Sequence, residues 1–148
     1  MTSWADVETA APDLARVVRE CFAVRKHATM ATLRKDGSPR ISGTEVEFTG
    51  DDVVLGSMPG AMKALDLRRD PRIAVHSPTV DPPESDPSAW PGEAKLAGRA
   101  IETEPAAVGK PHRFVLDLTE VVHTRVVGDQ LEVTAWHEAG GVSVRRRA

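Results

Sequence analysis

Asp36-Gly37, Gly50-Asp51-Asp52 and Gly128-Asp129 punctuate this chain, and each lies between two runs with the apolar, β-branched texture of strands. Asp-Gly between such runs is a strong hairpin signal, because glycine accepts the positive φ that tight turns demand. Residues 28–33 and 40–49 flank the first turn, 53–58 follow the second, and 112–127 and 130–137 flank the third. Segments 72–77, 93–104 and 142–147 share the same texture. Six to eight strands joined mostly by hairpins predict a mainly β fold, an antiparallel barrel or sandwich. Closure into a barrel would remove the unpaired edges of such a meander. Alternating βα units with a glycine fingerprint are absent, which argues against a dinucleotide-binding Rossmann domain.

Two helices interrupt the strands. Pro12 and Asp13 suit a helix start, and Leu14, Val17, Val18, Cys21 and Phe22 then follow at helical spacing with Arg16, Arg19 and Glu20 on the wet side. Cys21 lies within that stripe and reads as a small buried hydrophobe. A shorter helix over 61–69 stops before Asp70-Pro71, with Met62 and Leu65 spaced to face inward. Residues 1–11 are expected to be a flexible lead-in, and 12–148 a single domain. Within it, residues 78–92 hold five prolines and three acids, an extended loop with Trp90 as its one large apolar anchor, and 105–111 a turn region.

Composition narrows the function classes. The 148 residues carry a net charge of −3, which argues against a nucleic-acid binder built on phosphate neutralisation. No apolar run approaches the roughly 18–20 residues of a membrane span, and Trp4, Asp6 and Glu8 do not make a secretory leader, so a cytoplasmic location and no membrane partner are expected. A single cysteine excludes an internal disulfide. The five histidines, His27, His76, His112, His123 and His137, show no ligand-pair spacing, and no metal site is predicted. Arginine outnumbers lysine 14 to 5 and asparagine and tyrosine are missing, the signature of a GC-rich genome.

Residues 56–63 are the most informative stretch. Gly56-Ser57-Met58-Pro59-Gly60 does not match a nucleophile elbow, and Ala64 stands where a P-loop needs Ser or Thr. Yet a strand ending at Ser57, a Pro-Gly turn and a helix with Lys63 in its first turn combine free amides, a dipole, a hydroxyl and an ammonium, which suit one phosphate. A solvated Lys63 is the alternative. On strand 40–49, Ser42 and Thr44 share the face that continues into Val46 and Phe48. Hydroxyls and a nearby glycine there mean either hydrogen-bonded packing or a ligand wall.

The order of segments, HATMATLRKDGSPRISGTEVEF at 27–48, VVLGSM at 53–58, MKALDLRRDPRIAVHS at 62–77 and EAKLAGRAIE at 93–102, resembles the split β-barrel superfamily of pyridoxamine 5′-phosphate oxidase and the flavin- or deazaflavin-dependent oxidoreductases. The resemblance covers residues 12–127. It implies a split barrel of six to eight strands with two or three short helices, and a homodimer with cofactor at the subunit interface. Lys63 matches the lysine that contacts the cofactor phosphate, Ser57 and Met58 the strand end beside it, and Ser42, Gly43 and Thr44 the wall near the ring. Trp90 and Lys95 match positions that reach the cofactor or substrate from the partner side.

The implied cofactor is the deazaflavin coenzyme F-420, or else FMN, and the implied activity is hydride reduction of a small conjugated substrate. The small size and GC-rich composition resemble the actinobacterial, deazaflavin-using branch. A cofactor-binding carrier or sensor and a haem-binding split barrel are the alternatives. Two departures stand out. Ala61 replaces an arginine that relatives often carry, so one phosphate contact is missing unless Arg40, Arg68 or Arg69 supplies it. No C-terminal Arg-x-His motif is present, which argues against pyridoxamine-phosphate oxidase activity. No catalytic acid is assigned, since the cofactor carries the hydride chemistry; His76, Ser42 and Thr44 are the possible proton donors.

Overall fold

The glycine-marked hairpins form as expected in the computed structural model, which describes residues 1–104 and 107–148. Gly37 turns at φ +86° between β1 (His27–Leu33) and β2 (Pro39–Thr49), and β3 (Asp52–Ser57) follows the next turn. Helix α3 (Met62–Arg69) leads to β4 (Arg72–His76), and the loop after it reaches β5 (Glu93–Glu102). Strands β6 (His112–Val127), β7 (Gln130–His137) and β8 (Gly141–Arg147) complete the chain.

The sheet order is β3-β2-β1-β4-β5-β6, and β3 pairs again with β6, so six antiparallel strands close into a barrel. β6 is 16 residues long and serves two partners on one edge. Its start pairs with β3 through Ser57↔His112 and Val54↔Val115, and its end pairs with β7 from Glu120↔His137 onward. Strands β7 and β8 therefore continue the sheet off the barrel. β8 is exposed throughout, and Arg145, Arg146 and Arg147 blunt that free edge.

Period-2 alternation fills the barrel. Met30, Val53, Leu55, Val75, Leu96, Phe114, Leu116, Leu118 and Val121 are buried within it. β5 and β6 slip register between Ala97 and Gly98. A Cβ on Gly98 would stand 2.0 Å from the Asp117 carbonyl, so packing requires glycine there.

Residues 1–11 correct the expectation of a flexible lead-in. Helix α1 (Trp4–Ala10) forms behind a capping box in which the Ser3 hydroxyl accepts from the Asp6 N–H and the Asp6 carboxylate from the Ser3 N–H. Trp4 is buried edge-on against Phe48, at 4.8 Å between ring centroids. The Thr2 N–H donates to Asp117 and the Leu118 N–H to the Thr2 carbonyl, which ties the terminus to β6. Helix α2 (Pro12–Ala23) packs beside α1 with Leu14, Ala15, Val18, Cys21 and Phe22 buried.

The expected inward stripe of α3 is also corrected. Met62 and Leu65 are exposed, and Ala64, Asp66 and Leu67 face the barrel instead. A buried carboxylate takes a core-facing place: Asp66 accepts from Thr32 Oγ1 at 2.8 Å, Arg40 Nε at 2.7 Å and Arg69 Nη2 at 3.0 Å. Burial alone would raise the Asp66 pKa, but these three hydrogen bonds outweigh it and hold the carboxyl below its usual range.

The strand expected over 93–104 ends at Glu102. Of the expected turn at 105–111, residues 105–106 lie outside the described residues, and 107–111 form a turn. The loop 78–92 is fastened at its end. Trp90 Nε1 donates to the Val80 carbonyl at 2.7 Å, and the Pro91 carbonyl meets His123 Nε2 at 3.0 Å and Cys21 Sγ at 3.7 Å. Burial pushes the Cys21 thiol up to about 11. No helix among the described residues is long and apolar enough to cross a membrane.

Candidate functional site

Strand β3 ends at Ser57 and the chain reverses through Met58, Pro59 and Gly60 before α3 begins. Gly60 sits at φ +71°, and the Ala61 N–H closes the turn on the Met58 carbonyl at 3.1 Å. The Gly60 N–H donates to Nε2 of the buried His112 at 3.1 Å. His112 Nδ1 lies 3.2 Å from Glu102 Oε1, and Arg68 grips the same carboxylate with two hydrogen bonds of 2.7 and 2.8 Å. An Nε2 that accepts requires the proton on Nδ1, facing Glu102. The chain Arg68–Glu102–His112–Gly60 thus fixes the turn against β5, β6 and α3.

The start of α3 lies open beside this turn. Ala61 offers no side-chain cap, and no acid occupies the first turn. Lys63 extends from that turn and donates from Nζ to the Gly43 carbonyl at 2.6 Å, bridging α3 to β2. A cleft of about 510 Å³ opens here between β2, β3 and the turn. Gly43, Thr44, Gly56, Ser57, Met58 and Lys63 line it, with His27, Glu45, Glu47, Pro59 and Pro111. Glu45 pairs loosely with Lys26 and His27, both at 3.8 Å. An uncapped helix start, one ammonium and a turn of fixed shape suit an anionic group, and the glycine backbone of β2 and β3 beside them leaves room for a ring.

Of the residues singled out in the sequence, Gly43, Thr44, Ser57, Met58 and Lys63 meet in this cleft. Ser42 does not: it lies half-buried on the inner face of β2, opposite to Gly43. Lys95 lines a separate apolar cavity of about 240 Å³ on the outer face of β1, β4 and β5, with Ala31, Ile41, Ala74, His76 and Ala97. Trp90 stands in the 78–92 loop. The three arginines that could replace the missing contact at Ala61 are engaged elsewhere, Arg40 and Arg69 by Asp66 and Arg68 by Glu102. His76 pairs with Glu93 at 3.1 Å. No group of His, Cys, Asp or Glu among the described residues is arranged to hold a metal ion.

Sequence reasoning missed His27, Glu45, Glu47, Gly56 and His112. The alternation of β2 carried the signal for two of them, since Gly43, Glu45 and Glu47 share one face. His112 gave none, because Gly60 meets it only where β3 pairs with β6 to close the barrel.

No family model matches the chain, and no curated protein matches it in sequence. Solved structures do match in fold. A pyridoxamine 5′-phosphate oxidase-related, FMN-binding protein from Nostoc punctiforme superposes with a TM-score of 0.65 at 10% identity, covering 93% of this chain and 96% of that one. A haem-binding protein from Mycobacterium smegmatis gives 0.57 at 17% identity, with 99% and 88% covered. A protein described as an F-420 reductase gives 0.50 at 12% identity, with 69% and 93% covered. With a six-strand barrel closed by β3 and β6 and a cleft at the start of α3, the chain is a split β-barrel with the fold of these three proteins.

Proposed function

We propose that this protein binds a flavin-type coenzyme, the deazaflavin F-420 or FMN, in the Lys63 cleft and uses it to reduce a small conjugated substrate. The observation that carries this reading is the convergence of Lys63, the uncapped start of α3 and the Ser57–Gly60 turn on one side of a 510 Å³ cleft. Fold matches to an FMN-binding protein and an F-420 reductase support it. Lys63 and the α3 amides would hold the phosphate, and the β2 and β3 backbones would lie under the ring. When bound, the coenzyme supplies the hydride chemistry. The chain's own part is to bind, orient and exclude water.

The reading includes a homodimer. The outer face of β2, β1, β4 and β5 presents Ile41, Ala31, Ala74 and Ala97, and Ile41 is 75% exposed in the single chain. A second copy seated there would cover this apolar surface and bring partner residues toward the cleft.

Paired titration of ligand-free protein with FMN and with the deazaflavin coenzyme, followed by fluorescence, tests the reading. Tight binding of either supports it, and turnover of a substrate panel by the reduced complex separates an enzyme from a carrier or sensor. Micromolar or weaker binding of both overturns it. The second reading, haem binding, draws on the Mycobacterium smegmatis match and on His27, which opens onto the same cleft. A Soret band on haem titration that disappears in His27→Ala would support it.

A further inference from the structure

The glycines of this chain sort by what the fold demands of them. Seven have positive φ, among them Gly60 in the cleft turn and Gly92 at the end of the long loop. Gly98 has ordinary φ but is crowded by β6 at the bulge. Three remain that neither conformation nor packing requires: Gly43, Gly56 and Gly140. Gly140 sits in the β7–β8 turn. The other two lie within strands, and both line the Lys63 cleft.

Their surroundings are open. A Cβ on Gly43 would meet nothing within 4 Å, and one on Gly56 would meet only the His112 carbonyl at 3.9 Å, an ordinary contact. Glycine inside a strand is unfavourable, because it gives up backbone entropy and leaves no side chain to pack. The folded chain by itself would accept alanine at both positions and gain from it. Two such glycines in one cleft call for a cause outside the chain, and close approach of another molecule to bare backbone is that cause.

We propose that Gly43 and Gly56 are specificity-determining positions that keep the floor of the cleft bare, so that the planar ring of the coenzyme rests directly on the β2 and β3 backbones. This rests on the coenzyme reading above and adds to it: Lys63 selects the anionic end, and the two glycines bare the backbone at two points beside Glu45, which shares the Gly43 face and stands in the same cleft. The same floor continues at Gly56 and Pro111 into a neighbouring cavity that Lys110 and Arg113 line, so a side chain at 56 would also narrow the passage between the two.

The test is the set Gly43→Ala, Gly56→Ala and Gly56→Val, with three readings on each: melting temperature, dissociation constant for FMN and for the deazaflavin coenzyme, and molar mass by light scattering. The expected result is a melting temperature equal to or above that of the wild type, an unchanged molar mass, and coenzyme affinity at least tenfold weaker in Gly56→Val, with smaller losses in the alanine variants. Unchanged affinity in all three, while the wild type binds tightly, overturns this inference and leaves the coenzyme reading standing. A fall in melting temperature in both alanine variants overturns it too, because the fold would then need the glycines. A change in molar mass that accounts for the lost affinity assigns the glycines to subunit packing and also overturns it. A wild type that binds neither coenzyme refutes both readings.

Discussion

Removing the Asp66 carboxylate tests how α3, and Lys63 with it, is held on the barrel. Asp66 is 1% exposed and accepts from Thr32, Arg40 and Arg69. In Asp66→Ala the buried Thr32 hydroxyl loses its partner, which costs about 1–3 kcal/mol. Breaking a fully buried ion pair costs about 3–5 kcal/mol, but the Arg40 and Arg69 side chains keep 22% and 39% of their exposure and can rehydrate. The sum is therefore about 3 kcal/mol, which lowers the melting temperature by about 6–12 °C for a chain of this size. Asp66→Asn keeps an acceptor without the charge and should lose about 2 kcal/mol. The sign with pH follows from the lowered pKa of Asp66. A carboxyl that binds its proton more weakly when folded stabilises the protein above its unfolded value, near about 3.9, and loses that contribution as pH falls through the folded one. Urea unfolding at pH 7 should then show the full gap between wild type and Asp66→Asn, and the gap should close below about pH 4. A melting temperature within about 2 °C of wild type for Asp66→Ala at pH 7, equivalent to about 0.5–1 kcal/mol, would refute the clamp.

Lys63→Ala should weaken coenzyme binding at least about tenfold, or about 1.4 kcal/mol, and lower the melting temperature only slightly, since what the fold loses is one exposed hydrogen bond to the Gly43 carbonyl; equal affinity would remove Lys63 from the site. Trp4→Ala should cost about 3–5 kcal/mol by emptying a large buried volume. Trp4→Phe should cost far less, since the indole Nε1 has no partner among the described residues, and urea midpoints for the pair check this. Cys21, buried with its pKa pushed up to about 11, should resist a disulfide reagent at pH 8 until the protein unfolds. Fast labelling of the native protein would show that the loop end at Pro91 opens away from α2.

Most of the barrel was legible because strands and turns are local. Alternation and positive-φ glycines placed β1 to β4 and the β6–β7 hairpin, with boundaries displaced by a residue at several ends. The errors arose where a local signal was outweighed or overlooked. Ser3-Trp4-Ala5-Asp6 is a capping box in plain sequence, but a helix of seven residues forms only because Trp4 finds Phe48 across the fold. Met62 and Leu65 form an apolar pair at i, i+3, yet α3 turns Asp66 inward because Thr32 and Arg40 wait on β1 and β2. The cleft was half visible for the same reason. Gly43, Ser57 and Lys63 lie in recognisable segments, whereas Gly56 acquires meaning only once the space above it is seen to be empty.

The charge inventory of the cleft bears on which coenzyme it favours. Lys63 is the one lysine or arginine among the described lining residues, and Glu45 and Glu47 stand in the same cleft. Arg40, Arg68 and Arg69 are held by the carboxylates that build the α3 scaffold, so releasing one toward a phosphate would take a charged partner from Asp66 or Glu102. Scaffold and ligand thus compete for the same guanidinium groups, and the two hydrogen bonds from Arg68 to Glu102 favour the scaffold. One phosphate is well matched by one ammonium and a helix start. A longer anionic tail would meet Glu45 and Glu47 if it stayed within the cleft. Cations of this chain stand at Lys26 beside Glu45 and, over Gly56, at Lys110 and Arg113 in a cavity that Glu104 also lines; a second copy could supply others. Raised salt should therefore weaken the deazaflavin coenzyme more than FMN if that tail is held by side chains, because each neutralised charge adds to the salt dependence. Equal salt slopes for the two would mean that the tail stays in solvent and that Lys63 and the α3 amides carry the anion alone.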